Sequence, residues 1–161
     1  AHRARGGSLA KRVDAALIED GHEVHVQEWD IRVGAMPKIA MPEFRAAVDL
    51  APTARKQDVQ ADLRYARAAA IKFQSVANQT RFVITRDAFN SAKSEQQRRA
   101  LRFQMEALIK SEIALARELY DLTLEDSRIG FEPSCHYFYL PLDLVEKVIN
   151  CRWLLGELSH R

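Results

Sequence analysis

Cysteine, glycine, proline and aromatic residues are all scarce in this sequence: two Cys, six Gly, five Pro and 8% aromatics in 161 residues. So few glycines and prolines exclude collagen-like and Pro/Gly low-complexity classes. Two cysteines, Cys135 and Cys151, are too few to frame a disulfide-stapled fold, and read either as one bridge or as two buried thiols. No apolar run approaches the ~18 residues that a membrane-spanning helix needs. An excess of one charge is missing too: 24 Lys+Arg against 22 Asp+Glu leaves +2, too balanced for a polyanion binder on charge alone. What remains is 47% hydrophobic and 29% charged residues. That is enough apolar surface to build a core, which excludes disorder for most of the length.

The opening residues, Ala1-His2-Arg3-Ala4-Arg5, are not followed by the apolar stretch of a secretion signal. Ser8 can cap a short helix carrying Leu9, Val13, Ala16 and Leu17, with Gly21 as its stop. Glu23 to Trp29 then alternates, with Val24 and Val26 apolar, as a half-buried strand does. Asp30 to Met41 reads as a loop. This first element looks incomplete. Residues 1–41 are therefore expected to be the remnant of a preceding domain, and 42–161 a helical bundle.

Pro42 suits the first turn of a short helix ending near Leu50, with Phe44, Ala47, Val48 and Leu50 inward. From Ala54 to Ser91, Val59, Leu63, Ala66, Ala70, Phe73, Ala77, Thr80 and Ile84 alternate by fours and threes, the spacing of a helix that packs along its length. From Ser94 to Glu125, Leu101, Met105, Leu108, Leu115, Leu119 and Leu122 form one stripe, interrupted by Glu112, beside a second of Ile109, Ile113, Ala116 and Tyr120. A last helix runs from Pro141 to Leu158, with Leu142, Val145, Val148, Ile149, Leu155 and Leu158 facing inward. The expected fold class is mainly α: an antiparallel bundle of three long helices plus a short one, with a small helix–strand segment at the N-terminus.

Chemistry concentrates between Asp126 and Leu140, which is not helical in pattern and carries Gly130 and Pro133. Aromatic rings beside carboxylate and guanidinium groups suit a sugar, stacking on its C–H face and bonding its hydroxyls. On that reading the binding residues are Asp126, Arg128, Glu132, His136, Tyr137 and Tyr139. Asp126 and Glu132 could serve as an acid–base pair, although spacing on a loop does not bring them face to face. The alternative is purely structural: Asp126 pairs with Arg128 and the rings roof the core.

Other chemistries find no pattern. His136 beside Cys135 lacks a zinc spacing, so no metal is expected. Arg5-Gly6-Gly7-Ser8 precedes a helix but lacks the Lys-Ser/Thr of a phosphate loop, and no other cofactor signature occurs. No Ser-His-Asp or Cys-His set can be assembled, so no catalytic residue is assigned. Arg64, Arg67, Arg81, Arg86, Arg98, Arg99 and Arg102 mark the first hairpin and could meet an acidic partner or nucleic acid. Asp58, Asp62, Asp87, Glu95 and Glu106 are interspersed, and make a solvated mixed-charge face the better reading.

Several strings carry a resemblance. They are Arg64-Tyr65-Ala66-Arg67 onward through Lys72-Phe73-Gln74-Ser75-Val76-Ala77-Asn78-Gln79-Thr80-Arg81-Phe82; Asp126-Ser127-Arg128-Ile129-Gly130-Phe131-Glu132; His136-Tyr137-Phe138-Tyr139; and Asp143 to Cys151. Together, from Ala61 to Leu155, they resemble the helical C-terminal region of large bacterial glycoside hydrolase-like proteins. One departure is Cys135, where the family's loop motif has Asn. The resemblance implies a non-catalytic helical accessory module of an exported carbohydrate-processing protein, with an adjacent domain and carbohydrate as its partners. Residues 8–34, around Gly21-His22-Glu23-Val24-His25-Val26, locally resemble the first helix and second strand of a bacterial TIR domain, a family of NAD-cleaving enzymes and interaction modules. The family's first strand and catalytic Glu have no counterpart here, so this likeness implies only the tail of something larger.

Overall fold

Helix boundaries follow the local chemistry closely. Ser94 accepts a hydrogen bond from the Gln97 backbone N–H at 3.2 Å and so caps the helix Glu95–Glu125. Pro141 occupies the first position of the helix Pro141–Ser159, and Asp143 reaches back to accept the Leu140 N–H at 2.9 Å. The computed structural model describes residues 41–132 and 137–159. We label its helices α1 (41–50), α2 (Lys56–Ser91), α3 (Glu95–Glu125) and α4 (Pro141–Ser159). A 3-10 turn, Thr53–Arg55, joins α1 to α2. The expected helix and strand of residues 1–40 lie outside the described residues.

The molecule is a mainly α antiparallel bundle. Along α2 and α3, Arg67 meets Glu118, Ser75 meets Glu112 and Asn78 meets Ser111, so partner numbers fall as residue numbers rise. α3 packs along both α2 and α4. Leu144 shares one apolar cluster with Ala68, Ile71, Ala116, Leu119 and Ile129; Leu158 shares a second with Phe89, Met105 and Ile109. α4 therefore runs antiparallel to α3, in the groove that α3 forms with α2.

The faces of the helices differ from the expected ones. On α2 the inward residues are Ala68, Ile71, Ser75, Asn78 and Phe89, with Phe82 packed against them. Ala70 and Ala77 are buried as expected, but Phe73 is 49% exposed and Ile84 also faces solvent. Phe73 follows Ile71 by two residues, about 200° around the helix, so both cannot face one neighbour. The larger apolar residues mark the outer side, and the inner side includes Ser75 and Asn78. Phe73→Ala should consequently change the unfolding free energy by no more than about 0.5 kcal/mol, as judged by urea denaturation. A loss of several kcal/mol would return Phe73 to the core.

α3 buries Met105, Ile109, Glu112, Ala116, Leu119 and Thr123, drawing on both expected stripes, with Glu112 in the middle of the buried face. α4 turns Leu144 and Leu158 inward, with Val148, Cys151 and Leu155 partly buried against the clusters. Leu142, Val145 and Ile149, expected inside, are exposed. In α1 only Met41 is buried; Phe44, Ala47 and Leu50 are exposed and Val48 is half-buried. No helix among the described residues is long and apolar enough to cross a membrane.

The link from α3 to α4 is more regular than its sequence suggests. A 3-10 turn, Ser127–Gly130, leads into β1 (Phe131–Glu132), which pairs antiparallel with β2 (Tyr137–Phe138). The strap is closed at its base where the Tyr139 N–H donates to the Gly130 carbonyl at 2.8 Å. A Cβ on residue 130 would collide with the Tyr139 carbonyl oxygen, which explains the glycine.

Candidate functional site

Two places gather polar side chains, the strap and the middle of the core. In the strap, Asp126 and Arg128 form a two-pronged ion pair, Nε to Oδ1 at 2.9 Å and Nη2 to Oδ2 at 2.7 Å. The Arg128 backbone N–H also donates to Asp126 Oδ1 at 3.1 Å, and the Tyr65 hydroxyl donates to Oδ2 at 3.0 Å. The guanidinium of Arg128 lies 5.7 Å from the centre of the Tyr65 ring. These contacts pin the end of α3 to the start of α2. Of the other residues singled out from the sequence, Glu132 and Tyr137 are opposite partners in the strand ladder. Tyr139 lies at its base, its ring 5.8 Å from Lys72 Nζ. His136 and Cys135 lie outside the described residues.

Hydrogen bonds from the Arg128 guanidinium hold the Asp126 carboxyl far below the usual carboxylate range. A carboxyl so strongly biased toward its ionised form is a poor proton donor near neutral pH. The same bias has a stability consequence. The folded-state value lies below the ordinary 3.8, so this contribution is complete above that pH and is lost as pH falls through the folded-state value. Arg128→Ala should therefore lower the thermal midpoint at about pH 6, and the gap from wild type should narrow toward about pH 2. A gap of constant size across that range would remove Asp126 from the account.

The second cluster is buried and joins all three long helices. Glu112 of α3 accepts hydrogen bonds from Ser75 at 2.8 Å and Asn78 at 2.8 Å, both on α2. From α4, Lys147 reaches Glu112 at 2.6 Å and the Ser75 hydroxyl oxygen at 2.8 Å. Gln79 donates to Ser75 at 3.0 Å, Gln74 to Asn78 at 3.0 Å, and Asn78 to Ser111 at 2.9 Å. This layer lies between the two apolar clusters. A cleft of about 260 Å³ opens beside it, lined by Asn78, Glu112, Lys147 and Cys151 with Phe82, Val83 and Leu154. Burial pushes the Cys151 thiol up, with Lys147 opposing and Glu112 adding, so the free thiol stays protonated near neutral pH.

Each polar group of this layer already bonds another, which suits a registering device better than a reaction centre. Sequence reasoning saw Glu112 only as a break in a leucine stripe. A carboxylate in the middle of an apolar face was the available signal, since it needs a cation and donors from neighbouring helices. Among the described residues, no group of three or more His, Cys, Asp or Glu is placed to hold a metal.

Comparison with family models, with curated proteins and with solved structures finds no match for this chain.

Proposed function

We propose that this chain is a non-catalytic helical accessory module that packs on an adjacent domain of a carbohydrate-processing protein. The observation that carries the packing role is α2, which is apolar on two opposite sides. Its inner side is occupied by α3 and α4. Its outer side presents Phe73, Val76 and Ile84 to solvent at helical spacing. Aligned large apolar residues on a solvent face are the mark of an interaction surface. Ala69 and Thr80 on the same side leave room for close approach.

The carbohydrate context rests on the resemblance from Ala61 to Leu155 and on the composition of the strap. There, the exposed Arg128 lies against the Tyr65 ring, and the Tyr139 ring lies against Lys72. The alternative, an Arg-rich hairpin that meets nucleic acid or an acidic partner, is less favoured. Arg67, Arg86 and Arg99 are already paired with Glu118, Asp87 and Glu95, which reduces the charge available to a polyanion.

Hydroxyl-radical footprinting tests the packing role. Phe73, Val76 and Ile84 should be labelled strongly in the isolated 161-residue chain and weakly in the full product of its gene. Equal labelling in both would end the docking proposal. Titration with a panel of neutral and acidic oligosaccharides tests the sugar contact. Binding that Arg128→Ala abolishes supports it; no binding by a chain of full helicity removes the sugar and leaves the packing role.

A further inference from the structure

We infer that the cleft beside the buried polar layer binds a small neutral alcohol, with an apolar body of about eight carbons and a single hydroxyl. The cleft is separate from the outer side of α2 and does not depend on what packs there. Its volume is about 260 Å³, room for about nine water-sized groups. All three long helices build it. Phe82 and Val83 from α2, Leu108 from α3 and Leu154 from α4 form apolar walls. Val83 is 44% exposed, so one wall reaches solvent. Glu112 and Lys147 line the same cleft and make its polar end. Apolar walls with a few convergent polar groups, set between the helices of a bundle, are the usual form of a small-molecule site.

The polar end says which chemistry fits. Glu112 and Lys147 lie 2.6 Å apart and neutralise each other. A carboxylate ligand would meet Glu112 as like charge, and an ammonium ligand would meet Lys147, each where little water screens the repulsion. A neutral molecule avoids both. The pair nevertheless keeps hydrogen-bonding capacity. Among the described residues, Lys147 donates two of its three N–H bonds, to Glu112 and to Ser75. Glu112 Oε2 accepts from Ser75 and Lys147, whereas Oε1 accepts only from Asn78. One donor and one acceptor are thus left at the same end of the cleft. A hydroxyl is the smallest neutral group that uses both, its oxygen accepting from Lys147 and its O–H donating to Glu112. An ether or a ketone uses only the first. Phe82, Val83, Leu108 and Leu154 offer no partner to further hydroxyls, so the fit is to an alcohol with an apolar body rather than to a polyol.

Titration of the whole 161-residue chain with n-octanol, followed by methyl NMR, tests this. The methyl groups of Val83, Leu108 and Leu154 should shift together and saturate with a Kd of about 1 mM or tighter. Those of Val76 and Ile84, on the outer side of α2, should stay in place. Heptyl methyl ether, an isomer of octanol with no O–H, should bind about tenfold more weakly or worse. Octanoate and octylammonium should also bind about tenfold more weakly or worse, because each brings a second like charge to the pair. Glu112→Leu with Lys147→Met replaces the polar end by apolar groups of similar volume. That double variant should keep its helical circular dichroism and bind octanol and heptyl methyl ether equally. No saturable shift at the three wall positions, or equal shifts at Val76 and Ile84, would overturn the inference. So would an ether or an ion that binds as tightly as the alcohol, or a preference for the alcohol that survives in the double variant.

Discussion

Lys147→Met should lower the unfolding free energy by about 3–5 kcal/mol, the cost of leaving a buried carboxylate without its counter-charge. Lys147 extends from α4 across the bundle axis to Glu112 at 2.6 Å, and the Glu112 side chain keeps only 9% exposure. Methionine matches the stem of lysine in length, so the volume of the side chain is kept while the charge is lost. Glu112 would still accept from Ser75 and Asn78. Two neutral donors do not replace an ammonium in a site with little water. Urea denaturation reads the effect directly. The double variant Glu112→Leu with Lys147→Met should recover most of the loss, since an apolar pair of similar volume carries no charge to solvate. If Lys147→Met alone cost less than about 1 kcal/mol, the carboxylate would have another source of compensation and the layer would not depend on the pair.

A layer that can be replaced by apolar residues at little cost in stability still has a role in alignment. α2 carries apolar residues on two sides, and α4 does likewise. Nothing in the apolar pattern alone dictates which side turns inward. Glu112 accepts from two residues of α2 one helical turn apart and from one residue of α4, which ties both the rotation and the height of each helix to α3. If α2 turned Phe73 inward, Ser75 and Asn78 would leave Glu112 and Lys147 without neutral partners. The polar layer thus chooses the less apolar side of α2 for the core, and frees the more apolar side for something else.

This also explains what could and could not be read from the residues. The helices themselves were legible because their ends are written locally, in Ser94 before α3 and Pro141 at the start of α4. The antiparallel arrangement followed from the short link Ala92 to Ser94. The faces were not legible, because a periodicity count rewards large apolar residues and passes over Ser75, Asn78 and Glu112. Those three and Lys147 are separated by up to 72 positions and become a unit only through packing. In the strap, the pairing of Asp126 with Arg128 was legible from their proximity in sequence. The two-stranded ladder was not, since Phe131–Glu132 and Tyr137–Phe138 are too short to show alternation. The bond between Tyr65 and Asp126 spans 61 positions and left no local trace.

Leu144→Ala should cost about 2–5 kcal/mol, whereas Leu142→Ala, two residues earlier on the same helix, should leave stability within about 0.5 kcal/mol of wild type. The two changes remove the same atoms and alter helix propensity equally, so the difference isolates burial. Leu144 is 1% exposed and Leu142 76% exposed. Leu144 belongs to the cluster that draws Ala68 and Ile71 from α2, Ala116 and Leu119 from α3, and Ile129 from the strap. Truncating it opens a void where three helices and the strap meet. Ala68 and Ala116 have no side-chain length with which to fill that void, which places the cost toward the upper part of the range. The loss should appear as a lower urea midpoint with an unchanged slope, because the surface exposed on unfolding hardly changes. Equal effects at the two positions would mean that α4 is rotated from the orientation described.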